Sequence, residues 1–337
     1  MVQEFHSLDV RPYQLLCVIC RLGAQPADPY YFPERLDEIL AWVRGDSGRP
    51  MTLRCNADSV YAYQNPSRRY DTPEGELFND KRDLDILQRL GMAPGATRPG
   101  IELFRRIGQE IASCRGICGY DGVTSEDWRG CRLAASGNYE RGYALGAGAV
   151  VPPRAAEERA AAKRDSCAAM YRAAVLRIRP HHLMCMTDFQ QGQTELKPIA
   201  EDNLFEATDI MQKNPEIPVQ LVAGPCMICP PCTPYCPGTN LCIDGSAMGL
   251  RDQKKDLDVL QILGLRYGDV LPARRLLQRL YSRIQSTVQV CGYKDGVLRS
   301  PEWRVCGGPN GDARYLKGRA VGMGVPGVCA DPRKKPA

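Results

Sequence analysis

The chain has 337 residues, with 44 Lys and Arg against 39 Asp and Glu for a formal charge of +5, and 16 cysteines beside only 3 histidines. That length suits about two domains and a buried core without covalent staples. The basic surplus is scattered apart from Arg333-Lys334-Lys335, which excludes the concentrated basic face of a nucleic-acid binder. No apolar run reaches the ~18 residues of a membrane span, and Met1 to Val10 lacks a basic-then-apolar secretory leader. A reducing cytoplasm is the expectation, and there so many thiols point to metal rather than to disulfides.

In chain order, Leu15–Ile19 is a short apolar segment carrying Cys17, and Pro33–Arg44 has apolar residues at helical spacing. Met51–Arg54 reads as a short strand. Helices follow over Lys81–Leu90 and Pro99–Ser113, with Pro99 near a helix start, where a missing N–H costs least. A Gly/Cys/Trp loop comes next, and Gly146 to Pro153 closes the pattern. Ala155–Arg177, rich in Ala, Glu, Lys and Arg without Gly or Pro, reads as a linking helix. Its Cys167 is expected to be a buried, inert thiol. The series then recurs: Leu183–Met186 with Cys185, a helix over Pro198–Lys213, a strand over Pro218–Val222, helices over Asp252–Leu263 and Pro272–Thr287, and a second Gly/Cys/Trp loop.

The recurrence extends to particular residues. Arg11-Pro-Tyr-Gln-Leu-Leu-Cys17 matches Arg179-Pro-His-His-Leu-Met-Cys185. Asp83 to Gly91 matches Asp256 to Gly264, and Cys118-Gly-Tyr matches Cys291-Gly-Tyr. Trp128 with Cys131 matches Trp303 with Cys306, and Tyr139 with Gly142 matches Tyr315 with Gly318, in order, with an offset drifting only from 168 to 176. Such a series implies a tandem duplication. The expected fold is α+β: two homologous, mostly helical halves with short strands, arranged as a pseudo-dimer around Cys-ligated clusters. Residues 1–150 are the first repeat, 151–178 a linker helix and 179–337 the second repeat.

The second half carries Cys226-Met-Ile-Cys229-Pro-Pro-Cys232-Thr-Pro-Tyr-Cys236-Pro237. This C-x2-C-x2-C-x3-C-P spacing is the run by which bacterial-type ferredoxins hold [4Fe–4S] clusters. Zinc on four thiolates is the alternative for paired C-x2-C spacing. Three cysteines recur at equivalent places, Cys17/Cys185, Cys118/Cys291 and Cys131/Cys306, which points to ligation. In the first half Cys20 or Cys114 completes a four-thiol site: Cys17-x2-Cys20 is workable, and Cys114 precedes Cys118 by one helical turn. Cys55 is a further candidate there. In the second half one cluster would take Cys226, Cys229, Cys232 and a remote thiol, and another Cys236 or Cys242 with Cys185, Cys291 and Cys306. Cys329 is a spare. Asp58, Tyr61 and Gln64 stand where the run would be in the first half, so that half is a degenerate cluster-binding repeat. Two or three [4Fe–4S] clusters are expected.

His181 and His182 lie just before Cys185, where the first half has Tyr13 and Gln14. They either order the loop through hydrogen bonds or serve as a proton donor or metal ligand beside a cluster. They are the candidate catalytic residues, and any active site belongs in the second half.

Arg179-Pro-His-His-Leu-Met-Cys185, the stretch Val219 to Cys232, and the later Cys242 and Cys291 resemble a small prokaryotic family of unknown function. Its members are single domains of about this half's length, labelled as iron–sulfur binding. The resemblance covers the second half well and the first weakly, through Arg11-Pro12, Cys17 and the Cys118 loop. It implies that Cys185, Cys229, Cys232, Cys242, Cys291 and Cys306 are the family's cysteines, with Cys226 and Cys236 as additions. Where members show a second C-x2-C near the end, this chain has Cys291-Gly-Tyr-Lys-Asp. The family implies a cofactor type and no particular reaction.

The leading expectation is a low-potential electron-transfer protein or redox-enzyme component, acting with a redox partner protein or a small-molecule substrate. Neither nucleic acid nor membrane is expected as a partner, and a homo-oligomer is compatible. One alternative is an enzyme whose cluster keeps an iron open for sulfur transfer or Lewis-acid chemistry. Another is a zinc-ordered binding module. No phosphate-cradling Gly loop, Ser-His-Asp arrangement or C-x3-C-x2-C radical run is present.

Overall fold

The structure is a computed structural model, described here for residues 6–25, 28–56, 68–243, 249–291 and 308–329. The chain divides into two compact units, Met1–Pro153 and Arg154–Ala337.

The first unit opens with strand β1 (Leu8–Val10) and helix α1 (Pro12–Leu22), followed by α2 (Pro33–Gly45) and β2 (Pro50–Leu53). Next come α3 (Glu76–Leu90), β3 (Thr97–Pro99), α4 (Gly100–Glu110), α5 (Asn138–Ala144) and α6 (Ala147–Val150). β2 is the central strand, parallel to β1 with Leu8 opposite Met51 and antiparallel to β3 with Pro50 opposite Pro99. Its Met51 and Leu53 are wholly buried among Leu15, Leu16, Ile39 and Val43 from the helices. Pro12 opens α1 at the one position where its missing N–H is harmless, and the Arg11 N–H donates to the Gln14 side chain at 3.0 Å. Helix α3 closes on Gly91 in the left-handed conformation, with the Met92 N–H donating to Leu87 O at 2.9 Å. Helix α5 lies hard against α1: a Cβ on Gly142 would stand 1.9 Å from the Ile19 carbonyl oxygen. Beside it the Tyr139 hydroxyl donates to Ile111 O at 2.7 Å.

The second unit begins with α7 (Ala156–Tyr171), β4 (Leu176–Ile178), α8 (His182–Gln190), α9 (Leu204–Lys213) and β5 (Pro218–Leu221). It continues with β6 (Tyr235–Cys236), β7 (Leu241–Cys242), α10 (Leu250–Leu263), β8 (Val270–Pro272), α11 (Ala273–Arg283), α12 (Val288–Cys291) and α13 (Gly308–Ala320). Its main sheet has the same order and senses as the first: β5 is parallel to β4, and antiparallel to β8 with Pro218 opposite Pro272. Gly264 ends α10 as Gly91 ends α3, with Leu265 N–H donating to Leu260 O at 2.9 Å. The Tyr315 hydroxyl donates to Ile284 O at 3.0 Å, and a Cβ on Gly318 would meet Thr187 O at 2.1 Å. The hairpin β6–β7 has no counterpart strand among the described residues of the first unit.

The fold is mixed α and β with helices dominant, as expected. The linking helix is shorter than Ala155–Arg177, ending at Tyr171, because Leu176–Ile178 pairs with β5 instead. It packs within the second unit: Lys163 Nζ donates to Asp202 O at 2.6 Å and to the Glu206 carboxylate at 2.7 Å. The helix expected from Pro198 starts at Leu204, after Asn203, whose amide is taken by Ser166 Oγ and Met227 O, each at 2.8 Å. Among the described residues no helix is long and apolar enough to cross a membrane.

Candidate metal centres

In the first unit five thiols converge. Cys17 and Cys20, one turn apart on α1, line one pocket with Cys114, Cys118 and Cys131 from the loop after α4. The pocket holds about 570 Å3 of empty space including its mouth, and Tyr13, Tyr30, Tyr139 and Arg82 share its walls. The loop is folded to present its thiols. The Cys118 N–H donates to Cys114 O at 2.8 Å, and the Cys131 N–H donates to Cys118 O at 2.7 Å. Gly130 makes that second contact feasible: its φ is +80°, and a Cβ there would lie 2.8 Å from Cys118 O.

The electrostatics are those of buried thiols facing one buried cation. Arg82 is 1% exposed, with its guanidinium 3.5 Å from the centre of the Tyr13 ring. It donates to Thr72 Oγ1 and Asn79 Oδ1, while its Nε has no acceptor among the described residues. Burial pushes the Cys17 and Cys131 thiols up against the pull of Arg82, and pushes Cys20 up to about 11 although Tyr30 opposes it. The neighbouring pair is split. A hydrogen bond from Cys118 favours the Cys114 thiolate and lowers its pKa, and the same bond raises Cys118. The Cys20 Sγ is engaged by the Tyr30 hydroxyl at 3.3 Å.

In the second unit the counterparts of that pocket diverge. Cys185 and Cys291 line a wider pocket of about 1580 Å3, open space included, together with Asp188 and Thr287. At the offsets of 168 and 173 that relate the two sequences, Asp188 stands where Cys20 does and Thr287 where Cys114 does. Lys197 and Arg314 also line this pocket. Cys306 lies outside the described residues, as do Asp58, Tyr61 and Gln64 of the first unit.

The C-x2-C-x2-C run is a chain of turns. The Cys229 N–H donates to Cys226 O at 3.0 Å, Cys232 N–H to Cys229 O at 2.8 Å and Tyr235 N–H to Cys232 O at 3.1 Å. These turns bring Cys226 and Cys229 beside His182, with the three ligand atoms all within 4.8 Å of one another. His182 Nδ1 is 3.2 Å from Cys226 Sγ, which is 4.0 Å from Cys229 Sγ. Cys232 is not in this group. Cys236 sits buried on β6, and Cys242 on β7 places its thiol 3.9 Å from an Asp252 oxygen. Cys167 is half-buried and donates to Asn203 Oδ1 at 3.4 Å, Cys55 is buried, and Cys329 contacts Ala320 O at 3.2 Å.

Each unit has a frame of the same kind beside its site. Asp256 on α10 accepts two bonds from Arg179, at 2.9 and 2.7 Å, one from the His181 N–H at 2.9 Å, and faces His181 Nδ1 at 2.8 Å. Asp83 on α3 accepts from Arg11 at 2.5 Å and from the Tyr13 N–H at 3.0 Å. His181 is thus bound to Asp256 through both its backbone and its ring, and burial lowers its pKa to about 4 despite Asp256.

The chain matches no protein-family model, no curated protein and no solved structure. The resemblance drawn above rests on its motifs alone. Sequence reasoning passed over Arg82, which no spacing rule singles out. It also passed over Asp83 and Asp256, although each is the first residue of a repeated Asp-Leu-Asp block.

Proposed function

We propose that the chain is an iron–sulfur electron carrier built from two repeats of one scaffold, with a [4Fe–4S] cluster in the five-thiol pocket of the first unit. The observation that carries this reading is the convergence of Cys17, Cys20, Cys114, Cys118 and Cys131 from distant segments onto one cavity. Thiolates alone select iron–sulfur clusters, zinc or Cu(I). Zinc would gather its sulfurs to about 3.8 Å from one another, whereas no three ligand atoms of this pocket lie within 4.8 Å. A cubane, which gives each thiolate its own iron, suits that wider spread.

Cys17, Cys114, Cys118 and Cys131 are the proposed ligands. A hydrogen bond from Cys118 lowers the pKa of Cys114, and the Tyr30 hydroxyl engages the sulfur of Cys20 as the fifth thiol. Arg82, with its unpaired buried Nε, offsets the negative charge that four thiolates and a cluster bring. A bound cluster supplies one-electron transfer, and the fitting partner is another redox protein. The test is iron and acid-labile sulfide content after oxygen-free purification, followed by EPR under dithionite. About four irons held by the first unit and a reducible cluster support the proposal; a colourless protein with zinc alone sinks it.

A further inference from the structure

We infer that His182, Cys226 and Cys229 form a separate site for a single soft divalent ion, zinc by preference, and that the ferredoxin-like run does not serve as three corners of a cubane. The spacing carries this. Two thiolates bound to one zinc at about 2.3 Å in a tetrahedron stand about 3.8 Å apart, and Cys226 Sγ lies 4.0 Å from Cys229 Sγ. The imidazole completes the set, with Nδ1 3.2 Å from Cys226 Sγ. A cubane would hold these sulfurs on different irons and farther apart.

The surroundings are built for a fixed ligand set. The Cys226 N–H donates to Cys229 Sγ at 3.3 Å, a bond that favours the thiolate. The His182 ring stands edge-on to His181, with centroids 4.6 Å apart. His181 is locked in turn by Asp256, which Arg179 grips through two nitrogens. Such outer contacts orient the ligating ring and hold it in place before the metal arrives. Cys226 and Cys229 are each less than a tenth exposed, so an ion held between them would be shielded from solvent. A fourth ligand, from solvent or a further thiol, completes the tetrahedron. Mixed Cys2His donors suit zinc better than a cluster, whose ordinary ligand set is four thiolates.

The full-length protein, purified without oxygen and treated with a chelator, would be given zinc alone and measured by X-ray absorption at the zinc edge. The expected result is two or three sulfurs at about 2.3 Å together with imidazole scattering. His182→Ala should remove the imidazole signal and weaken zinc binding by about tenfold or more. Cys226→Ser should cost one zinc while leaving the iron count unchanged. A four-sulfur shell without imidazole in the unaltered protein overturns the inference, and so does a loss of about four irons in Cys226→Ser. The first readout needs no variant, so a substitution that fails to fold leaves the inference testable. The iron count in the first unit is read separately, so failure there and failure here are told apart.

Discussion

At the scale of single residues, the five-thiol pocket has one thiol more than a four-thiolate cluster uses, and the neighbours of each cysteine decide which is spare. Cys114 receives a hydrogen bond from Cys118 that favours its thiolate, and since Cys17, Cys118 and Cys131 are raised as well as Cys20, what sets Cys20 apart is the Tyr30 hydroxyl 3.3 Å from its sulfur. Cys114→Ser should therefore lose most of the first unit's iron, and Cys20→Ser should keep it. Iron analysis of the two variants decides, and the reverse result would exchange the roles. Arg82 places a buried positive charge on the same pocket. Arg82→Met should move the cluster's midpoint to a more negative potential in a redox titration, because removing a nearby cation disfavours the more negative reduced state. An unchanged midpoint would put Arg82 in a purely packing role with Tyr13. The cysteines themselves were legible from spacing and repetition. Arg82 was not, because its importance comes from burial, and one Arg within an α3 segment full of charges looks like a solvated face.

At the scale of elements, each unit sets a helical glycine against a carbonyl oxygen of a neighbouring helix. Gly142→Ala would place a methyl 1.9 Å from Ile19 O, and Gly318→Ala one 2.1 Å from Thr187 O. Each should cost about 1–3 kcal/mol or more, since helix pairs must part to admit the methyl. Gly108→Ala on α4, which meets nothing within 4 Å, should be neutral or stabilising by up to about 1 kcal/mol through helix propensity. Thermal unfolding of the three variants separates these outcomes. Helix positions were well anticipated where a matched Gly ends them, as at Gly91 and Gly264. The central strands β2 and β5 were anticipated too, but β1 and β4 were not: each is three residues long, and Leu-Arg-Ile at 176–178 continues an Ala- and Arg-rich stretch that looks helical. Pairing with β5 overrides that local preference, and no window of nearby sequence contains the partner strand.

At the scale of the whole molecule, the two units use one plan with different endings. Asp83 and Asp256 sit wholly buried at the centres of their frames. Asp256→Asn leaves the buried Arg179 poorly matched and should destabilise its unit by about 3–5 kcal/mol, and Asp83→Asn should cost less, because Arg11 keeps its pair with Asp71 at 2.6 Å. In urea unfolding followed by metal release, Asp83→Asn should lower the midpoint for iron loss, and Asp256→Asn that for zinc loss. A common shift of both metals in either variant would contradict separate frames. The ordered matches between the halves made the paired sheets and the paired Tyr and Gly contacts accessible from sequence. The grouping of His182 with Cys226 and Cys229 was hidden, because it depends on turns that residue spacing alone does not show.

The grip of each aspartate on its frame falls on an arginine and on a main-chain N–H. At position 13 only the backbone of Tyr13 is held by Asp83, whereas His181 offers both its backbone and its ring to Asp256. The main chain at that corner is thus held in both units whichever side chain stands there, Tyr13 in one and His181 in the other. An anchor of this kind fixes where the next residue begins its helix, and leaves the two units to differ in what the helix presents.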